Sequence, residues 1–208
     1  MAKPKTEFSL NQKIVYPSQG VGKITEIFKK EFNNEMVYYY KIYIEVSDMN
    51  VMVPVDRARA IGIREIVSPQ EAKKALAHIS QDFEPPTSDW KLRYQMNTEL
   101  LKKGTITDIT DIVRCLYQRS KVKELPILER KLYDNAKKLL IDEIALALGM
   151  DEKDVESMLH AKLEPLGQKV EKKSTYADDE DEDEDEFDDD SSDDKSDDDD
   201  DDDDDDED

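Results

Sequence analysis

The 208 residues carry a formal net charge of −22, unevenly spread: 26 of the 52 acids and one of the 30 bases fall in 177–208, a net of −25. That leaves 29 bases against 26 acids, a net of +3, on a body large enough to bury an ordinary core in one domain or two small ones. The single Cys115 excludes an internal disulfide, and the absence of a long apolar run or signal-like N-terminus excludes a membrane span and points to the cytoplasm.

Residues 8–67 read as β-structure. Lys13–Tyr16 is a short strand ending at Pro17, and Pro17-Ser18-Gln19-Gly20 is a turn. Val21–Phe28 follows, with Gly20 and Gly22 serving a bulge or tight bend. Asn33-Asn34 marks a hairpin into Met36–Val46, which is dense in Tyr, Val and Ile. Val51–Val55 is a fourth strand, and Ala60–Ile63 a short fifth. Strands this short at this spacing predict a small, strongly bent sheet or SH3-like barrel.

From Ser68 the apolar period lengthens from 2 to 3.6. Ser68, Pro69 and Glu71 stand as N-cap, N1 and N3 of a connecting helix over 68–84 that carries Ala72, Ala75, Leu76 and Ile79. Pro85 and Pro86 hold the chain extended, and Thr87, Ser88 or Asp89 caps the next helix. Trp90, Tyr94, Asn97 and Leu101 share one face of that helix, which ends at Lys102-Lys103-Gly104. Ile109, Ile112, Val113, Leu116 and Tyr117 form the next apolar stripe. A longer helix opens at Pro126 and closes at Gly149, and a last one runs from an Asp151 cap to Pro165. The fold class is therefore α+β: a β-domain over 8–67, an all-α module of about four helices over 85–166, and a disordered linker and acidic tail over 167–208.

Enzyme signatures are missing. His78 and His160 lie on predicted helices without an evident partner, and Cys115 sits within an apolar stripe as a buried small side chain. No phosphate loop, dinucleotide fingerprint or paired His/carboxylate motif occurs, so no catalytic residue, metal or cofactor is assigned. The only Trp, Trp90, stands in the first turn of its helix and suits either a plug packed into the core or an apolar wedge presented outward. Between Trp90 and Leu140 there are twelve bases against six acids. Bases that hold phosphates beside an apolar side chain that unstacks a base step are a minor-groove strategy.

Several local motifs, in order, resemble the CarD/CdnL family of bacterial RNA-polymerase-binding regulators, whose N-terminal module also occurs in transcription-repair coupling factor. They are Val15-Tyr16-Pro17 with Gly20 and Gly22, Val53-Pro54-Val55, Ile61-Gly62-Ile63-Arg64, Asp89-Trp90 with Arg93-Tyr94, and Ile112–Leu116 followed by Leu125, Glu129 and Arg130. The resemblance spans about Phe8 to Leu163 and leaves out the tail. It implies a Tudor-like module docked on the polymerase β subunit through Lys30, Met52, Val53 and Pro54. It also implies a helical module touching promoter DNA, with Trp90 wedged at the upstream edge of the bubble and Arg93 and Arg130 where family bases approach DNA; Lys91, Arg114 and Lys131 of the basic stretch join them as candidate DNA contacts. Met52 and Gln95 depart from the pattern, standing where family members carry a polymerase-contacting Arg and a DNA-facing Lys. The expectation is a monomeric, non-catalytic initiation factor with little sequence specificity. The alternative is a polyanionic chaperone or DNA mimic acting through the tail, whose charge also suits competition with DNA for the basic helical face.

Overall fold

A computed structural model of the protein describes residues 6–32, 34–81 and 87–174, with side chains through Pro165. The two prolines before Thr87 and the acidic tail lie outside the described residues.

Five antiparallel strands form one sheet in the order β4-β3-β2-β1-β5: β1 Lys13–Tyr16, β2 Gly20–Phe32, β3 Glu35–Ile44, β4 Met49–Pro54 and β5 Arg64–Glu65. Phe32 pairs with Glu35 at the end of the β2–β3 hairpin, and Asn33 of the expected Asn-Asn turn lies outside the described residues. Gly22 is needed for close approach, because a Cβ there would stand 2.7 Å from Ile42 Cγ2. Gly20 is needed for its φ of +96°, a conformation that costs residues with a Cβ. The register slips between Ile24 and Glu26, a bulge that bends β2.

That register sorts the side chains. Ile24, Tyr40, Ile42, Ile44 and Val53 point into a core closed by Phe8, Ala58 and Ile63. Phe28, Lys30, Val37, Tyr39, Lys41, Met52 and Pro54 fall on the opposite face, since cross-strand partners share a face and alternate residues return to it.

The expected fifth strand at Ala60–Ile63 is not a strand. Ile61 N–H donates to Arg57 O, Gly62 N–H to Arg59 O and Ile63 N–H to Ala58 O, so these groups are spent in a local helical turn. Pairing with β1 begins one residue later, where Val15 opposes Arg64.

Among the described residues five helices follow: α1 Pro69–Ile79, α2 Trp90–Lys103, α3 Ile106–Ser120, α4 Ile127–Leu148 and α5 Glu152–Ser174. The Ser68–Glu71 capping box is complete, and its hydrogen bonds hold the Glu71 carboxyl below its ordinary range. Gly104 and Gly149 close α2 and α4 in the left-handed conformation. Two expectations are corrected. First, the connecting helix α1, expected outside the helical module over 85–166, is part of it: it packs on α3, α4 and α5 and puts Ala72, Ala75, Leu76 and Ile79 into the helical core. Second, α5 does not stop at Pro165 but continues to Ser174 with the proline inside it. A proline removes one intrahelical hydrogen bond and crowds the preceding turn, which bends a helix without having to end it.

The β- and α-modules belong to one compact unit. Their junction is ionic as well as apolar. Arg64 on β5 forms an ion pair with Glu143 on α4, and its Nε and Nη2 donate to the Gly104 carbonyl at 3.1 and 2.8 Å. Glu143 is 1% exposed and also accepts from the Val67 N–H at 3.2 Å. Beside it, Pro17 packs on Gly104 so closely that a Cβ there would meet it at 3.1 Å. Among the described residues no helix is long and apolar enough to cross a membrane.

Candidate nucleic-acid interface

The start of α2 is built by three side chains. Asp89 is the N-cap, accepting at one oxygen from the N–H groups of Lys91 (2.9 Å) and Leu92 (3.2 Å). Thr87 and Ser88 contribute their carbonyls, which accept from Arg93 Nη1. Arg93 in turn grips Glu129, in the first turn of α4, with Nε to Oε1 at 2.8 Å and Nη2 to Oε2 at 2.7 Å. The N-terminal turns of α2 and α4 are thereby tied side by side.

Trp90 follows directly on the cap. It is half-buried, and among the described residues it belongs neither to the helical core nor to the partly buried side chains packed on that core. Lys91 Nζ lies 5.9 Å from its ring centroid, a cation–π contact. Leu92 and Met96, one turn apart, are exposed on α2, and Ile127 at the start of α4 is 70% exposed. Apolar surface is thus left uncovered along this edge.

The bases expected around Trp90 divide into two groups. Lys91, Arg130 and Lys131 are exposed. Arg130 pairs with Glu124, but both side chains are more than half exposed. An exposed pair of that kind holds together weakly, so its guanidinium can exchange onto a phosphate. Arg93 and Arg114 do not belong to this face. Arg93 is 2% exposed and spends its donors on Glu129 and two carbonyls. Arg114 is 1% exposed, donating to Asp111 Oδ1 at 3.2 Å and to the Gln81 carbonyl at 2.8 Å. Moving Arg93 onto a phosphate would abandon the buried Glu129 carboxylate, and moving Arg114 would pull a buried guanidinium off Asp111 and the Gln81 carbonyl.

His78 also has partners, contrary to the sequence reading: Nε2 lies 2.8 Å from Asp111 Oδ1, and Nδ1 lies 2.9 Å from Gln81 Oε1. His160 is exposed on α5. Cys115 is buried, with Asn97 Nδ2 donating to its sulfur at 3.6 Å. Burial pushes its thiol up, against the smaller opposing effect of that bond, so it is a poor nucleophile.

On the β-module, Lys30, Met52 and Pro54 lie on the outer face of the sheet, with Met52 53% exposed. Val53 does not join them. It pairs with Tyr40, is 3% exposed, and packs in the core. Strand β4 is also an edge of the sheet, with β3 as its one neighbour.

Sequence reasoning missed Glu129 and Glu143 as site-building residues. Both are buried on α4 and each anchors an arginine from another element. They stand fourteen positions apart, about four turns, on the same stripe as Leu132, Ala136 and Leu139. A carboxylate on the apolar stripe of a helix is itself a signal, because it needs a buried cation.

Comparison with known proteins agrees with this layout. Residues 8–67 match the domain family described as "CarD-like/TRCF RID domain", and residues 74–160 match "CarD, C-terminal domain". A Bacillus subtilis (strain 168) protein described as "Putative transcription factor YdeB" is 37% identical over 154 residues, covering 72% of this chain and 98% of that one. The solution structure of the 72-residue N-terminal domain of Myxococcus xanthus CarD is 28% identical, covering 31% of this chain and 85% of its own, with a TM-score of 0.26. With both domain types matched in order and a relative aligned over nearly its whole length, the chain belongs to the CarD-like family of transcription regulators.

Proposed function

We propose that this chain is a non-catalytic transcription-initiation factor that docks on the β subunit of RNA polymerase and stabilises the promoter open complex. The observation that carries the reading is Trp90: an aromatic ring at a helix start, outside the buried core, with Lys91 over its ring and exposed Arg130 and Lys131 following Glu129, to which that helix start is tied. Trp90 wedges into the minor groove at the upstream edge of the bubble, and the three bases hold backbone phosphates. Phosphate contacts and a wedge read deformability rather than base edges, so sequence specificity is low.

Docking uses the outer face of the sheet around Lys30, Met52 and Pro54, with the edge strand β4 able to pair its backbone with a partner strand. Tethering to polymerase raises the local concentration of the helical module at DNA, so little free-DNA affinity is required. Tighter binding to the melted junction than to closed duplex then shifts the equilibrium without nucleotide hydrolysis. A difference of about 1.4 kcal/mol changes the ratio of open to closed complex tenfold.

The test is binding of the full-length chain to core polymerase, followed by DNase footprinting of promoter complexes. Binding with added protection upstream of the bubble is expected. Failure to bind polymerase sinks the proposal.

A further inference from the structure

We propose that the buried Arg93–Glu129 pair is a positioning device for Trp90, an inference that rests on the wedge reading above. The guanidinium is used from both sides. Nε and Nη2 are fixed on the Glu129 carboxylate, while Nη1 holds the carbonyls of Thr87 and Ser88, the two residues before the cap. With the side chains 3% and 0% exposed, the pair is shielded from competing water.

Stability alone does not call for this arrangement. Replacing a buried ion pair by apolar side chains of similar volume is often neutral or stabilising. What an apolar pair lacks is the third arm, Nη1 on two main-chain carbonyls. That arm pins the segment leading into α2, so the first helical residue keeps a fixed place relative to α4. The first turn of a helix otherwise frays readily. A wedge on a frayed turn would have to be ordered each time it enters DNA, and that ordering would be subtracted from its affinity for the melted junction. Glu129 touches no proposed ligand. Its part is to hold Arg93, and through Arg93 the approach to Trp90.

Three full-length variants separate positioning from simple support of the fold: Glu129→Leu, Arg93→Met with Glu129→Leu, and Trp90→Ala. Trp90 is the only tryptophan, so fluorescence excited at the red edge, where the nine tyrosines do not absorb, reports on it alone. Glu129→Leu, which orphans a buried arginine, unfolds at clearly lower urea than wild type. The double variant recovers the wild-type urea midpoint, yet its Trp90 emission shifts and acrylamide quenches it more. Its open-complex half-life falls to that of Trp90→Ala, about tenfold below wild type if the lost difference is that given above, while polymerase binding is unchanged. A stable double variant with wild-type quenching and wild-type half-life overturns the proposal. If the double variant does not fold, Glu129→Gln, which keeps the shape and weakens the grip, replaces it with the same two readouts. Should Trp90→Ala itself keep the wild-type half-life, the wedge reading fails and this inference fails with it. A lost half-life in Trp90→Ala but not in the double variant refutes the positioning role alone.

Discussion

The Arg64–Glu143 latch allows a prediction whose size follows from unequal burial. The Arg64 side chain is 25% exposed and that of Glu143 is 2% exposed. In Arg64→Ala the carboxylate stays buried with the Val67 N–H as its remaining donor, and the Gly104 carbonyl loses both of its guanidinium bonds. Orphaning a buried charge costs about 3 to 5 kcal/mol. In Glu143→Gln the side-chain oxygen can still accept from Val67, and Arg64, a quarter exposed, keeps its bonds to the Gly104 carbonyl while its freed donors turn to water. The loss is then that of charge-assisted hydrogen bonds, about 1.5 to 3 kcal/mol, and falls at the low end because Arg64 rehydrates. For a unit of this size about 2 to 4 °C of Tm accompanies each kcal/mol, so Arg64→Ala should fall by about 10 °C and Glu143→Gln by about 5 °C. Urea and thermal unfolding followed by circular dichroism measure both. Equal losses, or a larger one for Glu143→Gln, would refute the reasoning from burial.

Other expectations follow from single sites. Burial, with Glu152 and Glu45 nearby and Lys138 opposing, raises the Asp142 carboxyl to about 6. The folded state therefore holds that proton more tightly than the unfolded chain, so the cost of ionising it grows as pH rises from the ordinary carboxylate range to about 6 and is complete above that. Asp142→Asn should stabilise by about 1 kcal/mol at pH 7.5, after allowance for partial solvation, and the gain should vanish near pH 4 in parallel melts. Thr105→Ala removes the N-cap bond to the Asp108 N–H and should cost about 1 kcal/mol in urea unfolding. Met52→Glu places a charge on the outer sheet face and should weaken polymerase binding in a pull-down while leaving the melting temperature unchanged; unchanged binding would remove this face from the proposed dock.

What could be read from the sequence depended on how local the cause was. The Ser68–Glu71 box, the Gly104 and Gly149 stops and the β2–β3 hairpin are each decided within a few residues, and the structure has them where the sequence places them. The fifth strand was misplaced because Ala60–Ile63 is apolar in the manner of a strand, while the local turn that claims its N–H groups leaves no periodic trace. Val53 was open to correction from the sequence: strand side chains alternate, so Met52, Val53 and Pro54 cannot all face one partner. Arg93 and Arg114 could not be separated from the exposed bases by counting charge, because their burial depends on acceptors 36 residues away on α4 and 33 residues away at the end of α1. The fold class was legible; the assignment of bases to surface or interior was not.

The central claim is that Trp90 acts on DNA, not in the core, and one experiment addresses it directly. The half-life of promoter open complexes is measured after competitor challenge, with polymerase and either wild-type protein or Trp90→Ala. The account predicts that Trp90→Ala still binds polymerase and keeps a wild-type melting temperature, but no longer prolongs the open complex. A variant that is destabilised yet prolongs the open complex as wild type does would contradict it, placing Trp90 in the fold instead of at the bubble.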